Sequence, residues 1–496
     1  MINDIIILGG GNAGLMAAIY LKTAIPSLNL SIIKSDKIGT IGVGEGSTEH
    51  WKLFADVVDI SMVDLVKECG ATIKIGIKFE NWHGDNTSYF HSLPEFLVNT
   101  DPYCGAPYTL MRLIGNGISS EKLHWDLPLQ GYVQEPFTDY YQFHFDSEKL
   151  NLFLENKAKA LNIKFVIADI VDVSVDNEGF VESIIDNNNN KYFADFFIDS
   201  SGFRQVISSK LGSTWTDWSK YLPLNSAVAF QTPSQKDIPV FTLAKAMDAG
   251  WHWRSPVQDR FGNGYVFSDA FINEETAVNE IQKYFPDTIN IGRKINFISG
   301  KIDKAWTKNC VSIGLSSNFV EPLEASSIST TIQQVRLLAG SLWNWSREDV
   351  STSKNYNKIF DDMLYNILDF IQLHYFTKRD DTAFWKWCSN EMTVTDFNKE
   401  NLELFSNNFV NQILLPEDFT NRTYRIYDCL NWIQVMHGLR MFNQTNILQL
   451  FKTRFSQYQE YDELQISYIP SKLSEEWYSS REALEYMKSI STNYVL

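Results

Sequence analysis

"INDIIILGGGNAGLMAAIYLKTA" (residues 2–24) is the stretch from which the fold is read. Residues 2–8 contain four consecutive apolar side chains, the mark of a strand buried on both faces of a parallel sheet. The chain then turns through glycines into a helical stretch. Gly9, Gly11 and Gly14 stand as G-x-G-x-x-G between the strand and the helix. The first glycine allows the turn, the second lets backbone approach a pyrophosphate, and the third lets helix pack on strand. Asn12 and Ala13 complete the turn, and the helix N-terminus offers free N–H groups to the anion. "NLSIIKSD" (29–36) follows as a second strand at the spacing of a βαβ unit.

Moving outward, the end of that second strand should carry an acidic residue for a ribose hydroxyl. Lys34 stands there instead, with Asp36 two residues on, so either Asp36 reaches back or the ribose is held otherwise. "IGVGEGST" (41–48) adds a second glycine-rich strap, Gly44, Glu45, Gly46 and Ser47, as an extended dinucleotide such as a flavin requires. "FFIDSSGFR" (196–204) is another strand ending in Asp, Ser and Gly. It is either a second nucleotide-contacting turn or a helix whose start Asp199 caps.

The 496 residues allow one large α/β body with a satellite. Aromatic residues make up 14%, as suits enclosure of flat ligands, and the net charge of −17 argues against nucleic acid and anionic membranes as partners. Five cysteines without a C-x-x-C pair predict neither disulfides nor zinc, and a reducing cytoplasm as the location. No apolar run reaches the ~18 residues of a membrane span, and the N-terminal run, being a strand, predicts no signal peptide. Nothing in the residues excludes a homo-oligomer.

The expected fold is α/β with mixed sheets and a mostly helical C-terminal region, and the family likeness carried by the motifs implies an FAD-binding, Rossmann-like flavin domain of the glutathione-reductase/PHBH type with a C-terminal substrate region. We expect residues 1–350 to form the first, with an aromatic-rich insertion at about 70–145 contributing to a substrate pocket. Residues 351–496 form the helical cover. Residues 226–300 read as strands and turns, and "DNNNN" (186–190) as a loop tip.

Three further stretches carry chemistry. "TIKIGIKFENW" (72–82) alternates, with Ile73, Ile75, Ile77 and Phe79 on one side and Lys74, Gly76, Lys78 and Glu80 on the other. Such a strand presents Lys78 across a glycine gap, to a cavity or to solvent. "NFVEPLEASSIST" (318–330) holds Glu321 and Glu324 in a proline-stiffened turn before a helix for which Ser326 is the natural N-cap. The free N–H groups at such a helix start suit phosphate, flavin oxygen or halide. "GWHWRSPVQDRFGNGY" (250–265) sets two indoles, Trp251 and Trp253, around His252, an arrangement fit for a rigid wall.

In this order, these segments closely resemble the flavin-dependent tryptophan-halogenase family, together with "GLSSNFVEPLEASSI" (314–328) and "FIQLHYFTKRDDTAFWKWC" (370–388). The likeness runs from residue 5 to about 390. It implies FAD, delivered reduced by a separate NAD(P)H-dependent flavin reductase, and a halide co-substrate oxidised to hypohalous acid. That acid crosses an internal tunnel to Lys78, which passes the halogen to an electron-rich small aromatic substrate. Glu324 is the implied acid/base partner. Gly314 and Leu323 join the cofactor residues, and the N–H groups of Ser326 and Ser327 take the halide. Trp251, Trp253 and Pro256 form the barrier between flavin and substrate. His91 matches a substrate-pocket histidine of the family loosely, and Leu93 stands where an aromatic would sandwich the substrate ring. The chain departs from the family at Ser255, where an aliphatic residue is usual, and at Ser327, where glycine is usual. The rival readings are a flavin monooxygenase that hydroxylates an aromatic ring and a flavin-binding protein without catalysis.

Overall fold

The apolar run near the N-terminus becomes the strand Asp4–Leu8, in the interior of a six-stranded sheet. The computed structural model describes residues 2–37, 39, 45–92, 105–120, 131–134, 142–410, 424–454 and 477–490. Its chain divides into two compact units that alternate along the sequence. The first comprises Met1–Ala71, Phe145–Trp218 and Ile298–Tyr365; the second comprises Thr72–His144, Ser219–Phe297 and Asn366–Leu496.

The sheet of the first unit runs Trp306–Thr307, Cys310–Ser312, Phe196–Asp199, Asp4–Leu8, Asn29–Lys34, Lys164–Ile167. All neighbours are parallel except the first pair. The helix Asn12–Ala24 packs against the helices Ser147–Ala160 and Ser326–Leu342. This is the α/β arrangement of a dinucleotide-binding body. At the end of Phe196–Asp199, the buried Asp199 carboxylate accepts from the N–H groups of Ser201 (3.0 Å), Ile207 (2.9 Å) and Ser208 (2.9 Å). It also takes the hydroxyls of Ser201 (2.6 Å) and Ser208 (3.0 Å). Of the two readings of "FFIDSSGFR", this favours the structural one: Asp199 organises the loop that follows. "DNNNN" is a turn, closed by N–H groups of Asn188 and Asn190 on the Asp186 carboxylate.

In the second unit a seven-stranded sheet runs Ile291–Asn296, Ser226–Pro233, Arg260–Phe267, Gly250–Pro256, Thr242–Ala246, Gly76–Glu80, Ser88–Ser92. Only Thr242–Ala246 and Gly76–Glu80 run parallel. The stretch 72–82 is not one strand. It breaks at Ile75 into Thr72–Lys74, paired with the 142–145 strand, and Gly76–Glu80. Gly76 permits the break, because its φ of 157° is open to glycine and a Cβ there would lie 2.3 Å from the His91 carbonyl oxygen. Lys74, on the first of these two strands, is buried.

Register assigns each residue of this sheet to a face. Lys78, Leu243, Arg254 and Asn263 form one row across four strands, and Glu80, Lys245, His252 and Tyr265 form the next. The opposite face carries Phe79, Ala244, Trp253 and Gly264, and beside them Ala246, Trp251 and Val266. A helix, Glu274–Gln282, interrupts the region read from sequence as strands and turns. Asn273 caps it by accepting from the Thr276 N–H at 2.8 Å. Its Ala277 and Ile281 pack on Val228, Phe230, Tyr265 and Phe267. It therefore covers part of the Lys78 face.

Among the described residues, no helix is long and apolar enough to cross a membrane, and no group of His, Cys, Asp or Glu could hold a metal ion. Cys69, Cys310, Cys388 and Cys429 are free thiols.

His252 is buried between Phe230, whose ring stacks at 6.3 Å, and the edge of Phe285 at 5.9 Å. The Asn263 amide nitrogen donates to Thr232 Oγ1 (2.9 Å), so its oxygen faces His252 Nε2, which donates to it at 3.3 Å. Burial, aided by the Arg254 charge, depresses this imidazole to about 3 despite the Asn263 bond. An unfolded chain takes up that proton near pH 6.5, so between these values it binds more protons than the folded one. Stability should therefore fall as pH drops from about 6.5. His252→Phe should flatten the urea-unfolding free energy over pH 6.5–4 by about 1 kcal/mol per pH unit. An unaltered slope would assign the acid sensitivity elsewhere.

Candidate active site

The glycine turn of the first unit is shaped by close approach. Gly9 has φ 125°, and a Cβ there would stand 2.3 Å from the Ser200 carbonyl oxygen. At Gly14 a Cβ would meet the Gly9 carbonyl oxygen at 2.3 Å, while at Gly11 it would meet nothing within 4 Å. The turn is thus tight on its protein side and open at the N-cap. The helix has no side-chain cap and no acidic residue in its first turn, so the N–H groups and positive dipole end suit an anion. A dinucleotide pyrophosphate fits this cradle.

Neighbouring segments hold the turn. Asn151 Nδ2 donates to the Gly10 carbonyl (3.1 Å) and to Asn12 Oδ1 (3.0 Å). That leaves the Asn12 amide nitrogen as a donor. Gly314, at φ 66°, lies so near Ala13 that a Cβ would meet its methyl at 2.6 Å. The buried Gln334 keeps that second turn in place, accepting from Gly314 N (3.3 Å) and Ser317 Oγ (3.0 Å) and donating to the Ser312 carbonyl (3.1 Å). Neither Asn151 nor Gln334 belongs to a sequence motif. Of the glycine strap, Gly44 lies outside the described residues, Glu45–Gly46 is a two-residue strand and Ser47 is buried.

Lys34 covers the turn from the side, its aliphatic stem closing over Gly10. Its ammonium pairs with Glu155, which Lys159 also holds at 2.7 Å. Burial would raise the Glu155 carboxyl, but the bonds from Lys159 and Lys34 hold it below its ordinary value. The acid near the end of the second strand thus comes from a helix 121 residues on, and Asp36 is exposed.

Glu324 is buried in the 3₁₀ turn Pro322–Glu324, beside the buried Leu323. Ser326 is not the N-cap. Ala325 is, in a left-handed conformation (φ 53°, ψ 38°), and the helix begins at Ser326 without a side-chain cap. The tight turn, closed by Ala325 N–H on the Pro322 carbonyl (3.0 Å), sets this start one residue early. Side chains of the first turn bond backward: Ser329 Oγ (3.1 Å) and Thr330 Oγ1 (2.8 Å) donate to the Ser326 carbonyl, and Thr331 Oγ1 (2.9 Å) donates to that of Ser327. The first turn thus has neither a side-chain cap nor an acidic residue of its own.

In the second unit, Lys78 Nζ lies 3.6 Å from Glu80 Oε2, with its side chain 30% exposed. Glu80 is bound more tightly by Lys245, at 2.7 Å. Burial opposes ionisation of Glu80, yet Lys245, by bond and charge, and the Lys78 charge lower its pKa. On the opposite face, Trp251 and Trp253 meet at 60° with centroids 6.3 Å apart. Trp253 lies flat across Gly264, where a Cβ would stand 1.8 Å from the ring. Pro256 ends the strand, and its carbonyl accepts from Thr72 Oγ1 at 2.7 Å. His91, opposite Ile77 in register, is on the indole face. The Asp428 N–H occupies Asn431 Oδ1 (2.8 Å), so the Asn431 amide nitrogen donates to His91 Nε2 (3.0 Å). Leu93 lies outside the described residues. The sheet therefore groups Lys78 with Glu80, Lys245 and Arg254, and puts its own thickness between Lys78 and His91, Trp251 and Trp253.

A family model described as "Tryptophan halogenase" matches residues 4–451. Tryptophan 7-halogenase RebH of Lentzea aerocolonigenes is 33% identical over 447 residues, 82% of each chain. Among solved structures, Xcc4156, a flavin-dependent halogenase from Xanthomonas campestris, superposes with TM-score 0.79 at 27% identity, over 91% of this chain and 94% of its own. BrvH, a flavin-dependent halogenase from Brevundimonas sp. BAL3, gives TM-score 0.79 at 26% identity, over 92% and 98%.

The contact between Gly314 and Ala13 makes a direct test of the turn. Gly314→Val forces a branched side chain onto the Ala13 methyl, an overpacking cost of roughly 1–3 kcal/mol. FAD affinity, followed by flavin fluorescence, should fall by about tenfold or more. Undiminished affinity would mean that this turn does not border the dinucleotide.

Proposed function

Because this chain belongs to the tryptophan halogenase family, we propose that it attaches chlorine, bromine or iodine to an electron-rich, indole- or phenol-like ring, with Lys78 delivering the halogen. The flavin-dependent members of the family are enzymes that work with FAD, typically supplied reduced by a separate reductase. When bound, reduced FAD and O₂ supply the oxidation that turns halide into hypohalous acid.

The residues divide the remaining work. Gly11, Asn12 and Ala13 would hold the pyrophosphate at the helix start. Residues 44–47 would strap the cofactor, and Gly314 and Leu323 would border it. The N–H groups of Ser326 and Ser327 would hold the halide. Hypohalous acid would travel inside the protein to Lys78, whose ammonium donates a hydrogen bond to its oxygen and keeps the halogen toward the ring. The ring carbon gains the halogen, and its proton passes by way of Glu324 to the departing hydroxide, which leaves as water. Trp251 and Trp253 would back the wall against which this happens, so that the organic substrate meets oxidised halogen rather than the flavin. The observation that supports the reading most is the setting of Lys78. It is half-buried on a sheet face, beside the Glu80 carboxylate, which Lys245 holds more closely.

Mass spectrometry of an aromatic panel with reduced FAD and chloride, bromide or iodide should reveal products whose mass follows the halide. Hydroxylated products without halogen would make the protein a monooxygenase, and flavin binding without product a non-catalytic flavoprotein. Lys78→Ala should abolish coupled halogenation while flavin oxidation continues, and unimpaired halogenation would remove Lys78 from the reaction. Glu324→Gln should slow turnover by roughly 10²–10⁴. An unchanged rate would leave Glu324 a part of the turn only.

A further inference from the structure

Glu80 stands between two lysines and is shared unequally. Its Oε1 accepts from Lys245 Nζ at 2.7 Å, while its Oε2 lies 3.6 Å from Lys78 Nζ, longer than a hydrogen bond. Strand register explains the difference. Lys245 is directly opposite Glu80 on the parallel neighbour, whereas Lys78 is two places back on the same strand as Glu80. Adjacent strands are ~4.8 Å apart and alternate residues of one strand ~6.6 Å apart, so the cross-strand lysine reaches the carboxylate first. Lys245 is also fixed from the covering side. Its ammonium lies 4.8 Å from the ring centroid of Tyr284, in the turn that follows the helix Glu274–Gln282. In the same turn Phe285 meets the ring of His252, the register partner of Lys245.

This arrangement matters because Glu80 cannot stay unpaired. Burial works against its ionisation, and the bond and charge of Lys245, ahead of the Lys78 charge, hold its pKa below the ordinary value. A half-buried carboxylate that loses its donor takes the next one. Among the described residues, Lys78 is the other cation within ion-pair distance of Glu80, only ~0.8 Å short of a charge-assisted hydrogen bond. Building on the reading of Lys78 as the delivering group, we propose that Lys245 is a positioning residue for it. By occupying Glu80, Lys245 keeps the Lys78 ammonium out of a closed ion pair and leaves its N–H donors to hypohalous acid. Lys245 itself touches neither oxidant nor substrate.

The test compares the full-length wild type with Lys245→Met, Lys245→Arg and the double variant Lys245→Met with Glu80→Gln. Each is assayed with indole, bromide, FAD and a flavin reductase. Acylation of Lys78 by an N-hydroxysuccinimide ester, without flavin, is followed in parallel by peptide mass spectrometry. Lys245→Met should lower kcat by about tenfold to a hundredfold with little change in KM, the cost of displacing a reacting group by about 1 Å. It should also slow acylation of Lys78 severalfold. Lys245→Arg, which still binds Glu80, should keep both near the wild type. In the double variant no carboxylate remains to capture Lys78, and both rates should return. A merely structural Lys245 would leave the double variant as slow as the single one, which overturns the proposal. Unchanged kcat and acylation in Lys245→Met overturn it too, since Glu80 has then turned elsewhere. If Lys245→Met does not fold, the double variant, free of the uncompensated charge, is set against the wild type: near-normal kcat supports the proposal and lost halogenation refutes it. Failure of the halogenase reading looks different, as no brominated indole from any of the four proteins. Acylation then decides: slowed in Lys245→Met and restored in the double variant supports the proposal, and equal rates throughout refute it.

Discussion

The strand Gly76–Glu80 can pair with Thr242–Ala246 in one register only, and the chemistry of the second unit depends on it. Side chains alternate across a pleated sheet, so a slip of one residue would exchange Lys78 for Phe79 and bury a charge in the aromatic face. The native register keeps Phe79 stacked on Tyr89 at 4.7 Å and edge-on to Trp82 at 5.5 Å. It leaves Lys78 and Glu80 on the face where Lys245 and Arg254 also emerge. Apolar packing on one side therefore decides which polar groups meet on the other. Trp82 strengthens this arrangement by donating its indole N–H to the Ala244 carbonyl at 3.0 Å, and the buried Arg379 reaches the Asn81 carbonyl at 3.2 Å.

The first unit solves a different problem, that of bringing backbone close to an anion. Here glycine and the absence of capping side chains do the work. Gly9 and Gly14 remove the Cβ atoms that would force the turn apart, and Gly314 does the same for the segment lying on Ala13. The helices that start at Asn12 and Ser326 leave their first N–H groups without side-chain caps. Elsewhere caps are supplied by Asp146, Asn273, Thr382 and Asp428. An uncapped helix start is a less stable one, and its positive end is therefore available to a bound anion. Ala325 adds a non-glycine residue in the left-handed region at the second of these starts, a local strain beside Glu324 of the kind that gathers at functional turns.

Much of the molecule was legible in the chain. Gly9 and Gly14 between an apolar run and a helical stretch specify the turn, because only glycine tolerates those approaches, and Gly11 leaves the turn open at the helix start. The alternation of Ile77, Lys78, Phe79 and Glu80 specifies which side chains share a face, since that follows from backbone geometry. Local signals also misled. Ser326 looks like a cap, yet the preceding 3₁₀ turn claims the helix start for Ala325. The apparent single strand at 72–82 is broken by the approach of the 88–92 strand to Gly76, and a helix at 274–282, capped by Asn273, interrupts a stretch that reads as strands and turns.

What the amino-acid sequence determined by itself was therefore the local chemistry: turns, and the sheet faces on which side chains such as Lys78 stand. Tertiary structure alone decided the partners. It brought Glu155 to Lys34 across 121 residues, Asn151 to Asn12 across 139, and Gln334 to Ser317, and it aligned Lys78 with Leu243 and Arg254. No local pattern encodes such pairs, because each depends on which strands and helices become neighbours, and that is set by burial of apolar surface over the whole unit rather than by any one segment.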